Sequence, residues 1–230
     1  MNSHAAPRLL NDDGTASMAT MLLMSHHAFR RDLARFARAL ATEDAVTPVR
    51  ASALEAEWRW FRTALHGHHE AEDAGIFPGL RREHAGLVAV LDGLTADHRK
   101  IDPLLSDGDR SFAALGRRRE AAAETVAALS ALLDAHLATE ESRVIGFLRG
   151  AKAFPPPGND GEADMYAQGF AWSAEGVADE VLERVFALLP PILTTRLPAA
   201  RAADLDRCAR VWGPAPSGAS RTSIPDWLAG

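Results

Sequence analysis

The chain has 230 residues, 47% hydrophobic and 24% charged, with a formal net charge of −6. That length suits one domain, or one domain with a sizeable extension, able to bury a real core. The acidic balance excludes nucleic-acid binding as the main role, because phosphate recognition wants a basic surface. Cys208 is the single cysteine, which excludes internal disulfides, thiolate clusters and zinc fingers and fits a reducing cytoplasm. Any metal must then be held by His, Glu or Asp.

The first apolar run, Met18 to Met24, follows Asn11-Asp12-Asp13 and leads into charged helix. It therefore does not read as a signal peptide, no stretch is expected to span a membrane, and the product is expected in the cytoplasm. Helical periodicity continues from Met18 to about Arg149 without sustained strand-like alternation. Thr47-Pro48 ends the first helix and opens the second. Pro78-Gly79 and His84-Ala85-Gly86 close the second, and Ser106-Asp107-Gly108-Asp109, with Gly116 beyond it, separates the third from the fourth. The clusters Arg81-Arg82 and Arg117-Arg118-Arg119 read as solvated helix ends.

Residues 151–161 form a Pro/Gly linker. Residues 162–230 are expected to form a helical extension: one long helix from Glu162 to Leu189, a Pro190-Pro191 break, a second helix to about Trp212, and a surface-laid or frayed tail. The expected fold is all-α: an antiparallel up-down-up-down four-helix bundle over 18–150 with the extension added.

Each bundle helix carries one apolar stripe. These are His26, Phe29, Leu33, Phe36, Leu40; then Leu54, Trp58, Phe61, Leu65, His68, Glu72, Ile76; then Leu87, Leu91, Leu94, His98, Ile101, Leu105; then Val126, Leu129, Leu133, His136, Glu140, Val144, Phe147. A lone histidine in a stripe is usually a hydrogen-bonded core residue, but here all four stripes carry the same interruption. Two buried glutamates would each cost several kcal/mol, a cost that a cation with imidazole co-ligands removes.

Depth gives an independent check, because ligands on antiparallel neighbours lie equally far from the turn that joins them. The midpoint of 26 and 68 is 47, that of 68 and 98 is 83, and that of 98 and 136 is 117, all at or beside breakers. Stripe and depth together select His26, His68, Glu72, His98, His136 and Glu140. They set His27, His66 and His69 aside as surface or supporting residues, with Asp73 and Glu141 supporting or at the rim. His84, at a turn, is too far along to share the site, and His4 lies in an unpatterned segment. Four imidazoles and two carboxylates exceed a tetrahedral zinc site and suit two five- or six-coordinate ions, iron first and manganese next.

The segments Ser25 to Leu33, His68 to Asp73 with Ile76-Phe77-Pro78, Asp97-His98-Arg99, and His136 to Glu141 resemble a hemerythrin-like domain, the HHE cation-binding type of bacteria. The resemblance implies a non-haem diiron centre bridged by Glu72, Glu140 and an oxo or hydroxo group, with His26 and His68 on one iron and His98 and His136 on the other. It also exposes two departures. Oxygen-carrying hemerythrins place a further histidine one turn before the position of His98, where this chain has Leu94, and their fourth-helix carboxylate follows its histidine by five residues rather than four. The missing ligand leaves an open position or one filled by water, His69 or an acidic neighbour.

An under-coordinated centre favours reactivity over reversible carriage. The expected ligand is dioxygen, hydrogen peroxide or nitric oxide, with catalase- or peroxidase-like chemistry the favoured enzymatic form. The alternatives are a diiron oxygenase or oxidase acting on a small organic substrate, and a non-catalytic sensor or storage protein. Neither a nucleic acid nor a membrane is expected as a partner. The extension's apolar face, Phe170, Ala174, Val177, Val181, Val185 and Leu188, packs on the bundle or on a second subunit in a homodimer, or forms a lid with Trp172 or Tyr166.

Overall fold

The computed structural model describes residues 8–42, 46–152 and 154–213. Among them the regular structure is entirely helical: α1 Met18–Thr42, α2 Pro48–Ala71, a π-helical turn Glu72–Ile76, α3 Phe77–Glu83, a 3-10 turn Ala85–Leu87, α4 Val88–Phe112, α5 Leu115–Arg143, α6 Ile145–Leu148, α7 Asp160–Ser173, α8 Asp179–Phe186 and α9 Pro191–Trp212. The all-α expectation holds. The chain divides into two compact units, Phe29–Arg143 and a second made of Met1–Ala28 with Val144–Gly230.

In the unit Phe29–Arg143, aromatic contacts give the topology. Along α1, Phe29 meets His68 and Phe61, while Phe36, two turns later, meets Phe61 and Trp58, so α2 runs antiparallel to α1. Trp58 stacks on Phe112 at 4.7 Å while His69, further along α2, stacks on His98, so α4 reverses α2. Arg30 pairs with Asp134 and Glu141, and Arg119 Nε donates to the Leu40 carbonyl at 2.7 Å, so α5 reverses α1. Phe29, Phe36, Trp58, Phe61 and Phe112 are all fully buried. Each contributes about 2–3 kcal/mol by removal from water. Thr47 starts α2 by accepting the Arg50 N–H at 3.2 Å, with Pro48 in the first turn.

Three expectations about elements are corrected here. Ser106 to Asp109 does not break the chain: α4 continues to Phe112, and Gly108 is where the Trp58 ring comes close against the helix. The separation comes at Ala113-Ala114, with a further kink at Arg118. The π turn inserts a residue after Glu72, so the second stripe continues through Phe77, fully buried, rather than Ile76. The break at Val144 shifts the fourth stripe similarly, burying Ile145 and Leu148 and leaving Phe147 46% exposed.

The membrane expectation also changes. By length and composition alone α5 is apolar enough to cross a bilayer. Its inward face nevertheless carries His136 and Glu140 and packs on α2 and α4, as in the core helix of a bundle. A further surprise is a buried ion cluster on α1, where Arg31 Nε and a terminal nitrogen of Arg35 donate to Asp32 at 2.9 and 3.1 Å, all three residues being no more than 3% exposed.

The second unit is stitched across its own chain ends. Arg149 donates to the carbonyls of Leu10 and Arg8, Asn11 donates to the Arg149 carbonyl, and Arg184 donates to the Gly14 carbonyl. The expected helix 162–189 is two helices, because Gly176 adopts φ +90° and ends the run after α7. Asn159 caps α7 by accepting the Glu162 N–H. α9 runs parallel to α7: Arg196 pairs with Asp160 and Asp164 near the α7 start, and Cys208 Sγ lies 3.6 Å from Glu175 just past its end. The apolar face expected of the extension is buried at Phe170, Ala174, Val177, Val181 and Val185. The expected tail beyond Gly213 and His4 lie outside the described residues.

Candidate metal centre

Leu65, His68, His69 and Glu72 occupy positions i, i+3, i+4 and i+7 of α2 and the turn that follows, so all four belong to one broad inward face. Glu72 is fully buried at the first position of the π turn. Its Oε1 lies 2.9 Å from His68 Nε2 and its Oε2 lies 3.4 Å from His98 Nε2, yet neither oxygen has a partner at hydrogen-bond geometry. A carboxylate turned to an imidazole on each side, in a dry site, is the arrangement that a cation completes.

Two groups of donors converge inside this unit. His69, Glu72, His98 and His136 each offer a ligand atom within 4.8 Å of one another, and so do His68, Glu72 and Glu140. Glu72 belongs to both. His136 and Glu140 are buried on α5. The His69 ring stacks on His98 at 4.0 Å with 13° between planes, and the His136 ring lies 4.9 Å from His98. Phe77 backs His98 from below at 5.9 Å.

Asp73 fixes the direction of His98. Its Oδ2 is 2.9 Å from His98 Nδ1 and its Oδ1 accepts the Thr95 hydroxyl at 2.8 Å. A proton held at Nδ1 leaves Nε2 facing Glu72, the carboxylate–imidazole support typical of metal-ligating histidines. Glu141 instead turns outward to Arg30 at 2.6 Å. Of the two acidic neighbours, Asp73 alone contacts a histidine of the cluster.

The electrostatics of the pocket are set by its dryness and its mutual charges. Burial pulls the His69 imidazole far below its ordinary range, and the neighbouring His68 and His98 add to the effect. Burial pushes the Glu72 carboxyl up, but the charge and close approach of His68, with His98 and His69, hold it well below the usual carboxylate range. Burial lowers His98 while Glu72 and Asp73 raise it, and the carboxylates win.

Of the residues selected from sequence, His68, Glu72, His98, His136 and Glu140 are brought together. His26 is fully buried on α1, three residues before Phe29, whose ring lies 5.2 Å from His68. His66 is exposed and His84 ends α3, and neither belongs to the two donor groups. Two residues set aside are buried instead, His27 and His69, each 5% exposed. His69, one of the candidates for the missing ligand position, lies in the donor group with Glu72, His98 and His136. The i, i+3, i+4, i+7 spacing was its signal, hidden by treating the stripe as one residue wide. Leu94 is buried one turn before His98, and His69 on α2 lies in the donor group with His98 and His136.

A helical bundle with an inward cluster of imidazoles and carboxylates belongs to the class that binds cations between its helices. The chain belongs to the hemerythrin HHE cation binding domain family, which matches residues 17–148. A search of curated proteins and of solved structures found no match.

Proposed function

We propose that this protein holds two iron ions, with manganese as the alternative metal, and turns over small oxygen or nitrogen species, peroxide consumption foremost. The observation that carries the reading is Glu72, with one oxygen toward His68 and the other toward His98, the posture of a bridge between two ions. His68, Glu72 and Glu140 would hold one ion, and His69, Glu72, His98 and His136 the other. His26 joins the first on the depth argument from sequence. When bound, such a pair supplies redox chemistry toward dioxygen, peroxide or nitric oxide.

The chain's own residues do the rest. Asp73 keeps the Nδ1 proton of His98 and so keeps Nε2 available. Burial favours the neutral form of His69, whose ring offers a ligand atom beside those of Glu72, His98 and His136. A cavity of about 300 Å³ reaches His69 and His98, and its walls are His66, Glu70, Asp73 and Asp102, with Ala74 the one aliphatic residue. Its charged rim and open mouth admit water-sized ligands such as peroxide to the cluster.

The test is elemental analysis of the purified protein with absorption spectra before and after peroxide, and an oxygen electrode to follow two peroxides becoming two waters and one dioxygen. Bound iron, a peroxide-dependent spectral change and oxygen evolution support the proposal. Bound iron without turnover would make it a sensor or store, and protein without iron or manganese would overturn it.

A further inference from the structure

The cavity beside His69 is built unevenly. Its outer walls carry three carboxylates, Glu70, Asp73 and Asp102, together with His66, and no Lys or Arg stands among the residues that line it. Glu70 and Asp102 are exposed, on α2 and α4 respectively, and His66 Nε2 lies 3.9 Å from Glu70. The inner end is His69, 5% exposed, with Nε2 buried and without a hydrogen-bond partner. Asp73 stands between, 38% exposed at its side chain, with one oxygen on His98. The donors thus form a graded series, from hydrated carboxylates at the surface, through a half-buried carboxylate, to a dry imidazole.

We propose that this cavity is the port through which divalent cations load the centre, Glu70, Asp102 and His66 forming an outer station and His69 the first inner ligand. The inference rests on the cation-binding reading of the cluster and adds its route. Low-dielectric walls of one sign concentrate counter-ions. A hydrated dication sheds water stepwise as it exchanges carboxylate oxygen for imidazole nitrogen. Anions are repelled at the same mouth, while neutral peroxide and dioxygen pass.

Anaerobic stopped-flow mixing of the metal-free full chain with Co(II) tests the route, since cobalt's visible bands report loading without any turnover. The double variant Glu70→Gln/Asp102→Asn is compared with Glu120→Gln/Glu124→Gln, which removes the same charge from exposed positions on α5. Two carboxylates attract a dication enough, even at roughly one Debye length, that removing them slows loading at least about threefold at 0.1 M salt. The expected result is that slowing for the cavity variant only, vanishing at high salt, with unchanged final stoichiometry. Equal rates for wild type and cavity variant, or equal slowing by the α5 control, would overturn the route. Absence of cobalt uptake by the wild type would instead overturn the cation-binding reading on which the route rests.

Discussion

Replacing Gly108 by alanine inverts the usual rule for helices. In an exposed helix interior Gly→Ala stabilises by about 1 kcal/mol. At Gly108 an added Cβ would stand 1.8 Å from Trp58 Cζ2, 2.4 Å from Cε2 and 2.6 Å from Cη2. The indole is fully buried between Phe36 at 5.8 Å, Phe61 at 5.6 Å and Phe112 stacked at 4.7 Å, so moving it disturbs this packing. Overpacking of this kind costs about 1–3 kcal/mol. Displacing the ring also forfeits the Nε1 hydrogen bond to Asp109, about 1 kcal/mol, and part of the stack with Phe112, about another. After the helix-propensity gain the net loss is about 3 kcal/mol. Gly93, on the same helix with nothing within 4 Å of its added Cβ, is the internal control and should gain about 1 kcal/mol. Urea unfolding of the two variants reads both signs. A Gly108→Ala protein as stable as Gly93→Ala would refute the packing argument.

Three further outcomes follow from other parts of the structure. Asp73→Ala should weaken metal binding about 10–100-fold by releasing His98, with Asn at the same position restoring part of it; a competition titration with a chelator measures this, and unchanged affinity would remove Asp73 from its supporting role. Asp32→Ala takes a carboxylate from between two buried guanidiniums and should cost about 3 kcal/mol in urea unfolding, against which a loss under 1 kcal/mol would count. Tyr166, the one tyrosine, donates to Glu162, and that hydrogen bond pushes its pKa up to about 12. A raised pKa means the contact stabilises fully below the ordinary tyrosine value of 10.0 and is lost as pH climbs toward 12. Ultraviolet titration of phenolate should show that high midpoint, falling in Glu162→Gln, and an unmoved midpoint would discount the bond.

Much of the centre was legible because helix periodicity is rigid. A residue such as His98 that keeps a 3.6-residue stripe alive between Leu94 and Ile101 has one direction to point, and the structure buries it accordingly. What escaped depends on contacts from elsewhere in the chain. Gly108 looks like a breaker until Trp58 is seen against it. The π turn at Glu72 changes the period itself, so extrapolation from His68 lands on Ile76 when the buried residue is Phe77. Nothing in the local sequence says that Arg31, Asp32 and Arg35 pair with one another in the interior. The burial of His69 beside His68 follows from the width of the face that a bundle helix buries, which a single-line stripe understates.

The central claim is that Glu72 joins two cation positions in one buried cluster. The direct measurement is metal content per chain, by elemental analysis, of the wild type and of Glu72→Ala purified side by side with circular dichroism to confirm helix. The account predicts about two ions per wild-type chain and loss of both in the variant, since a shared bridge serves each position. A wild type without iron or manganese, or a Glu72→Ala protein that retains two ions, would contradict it.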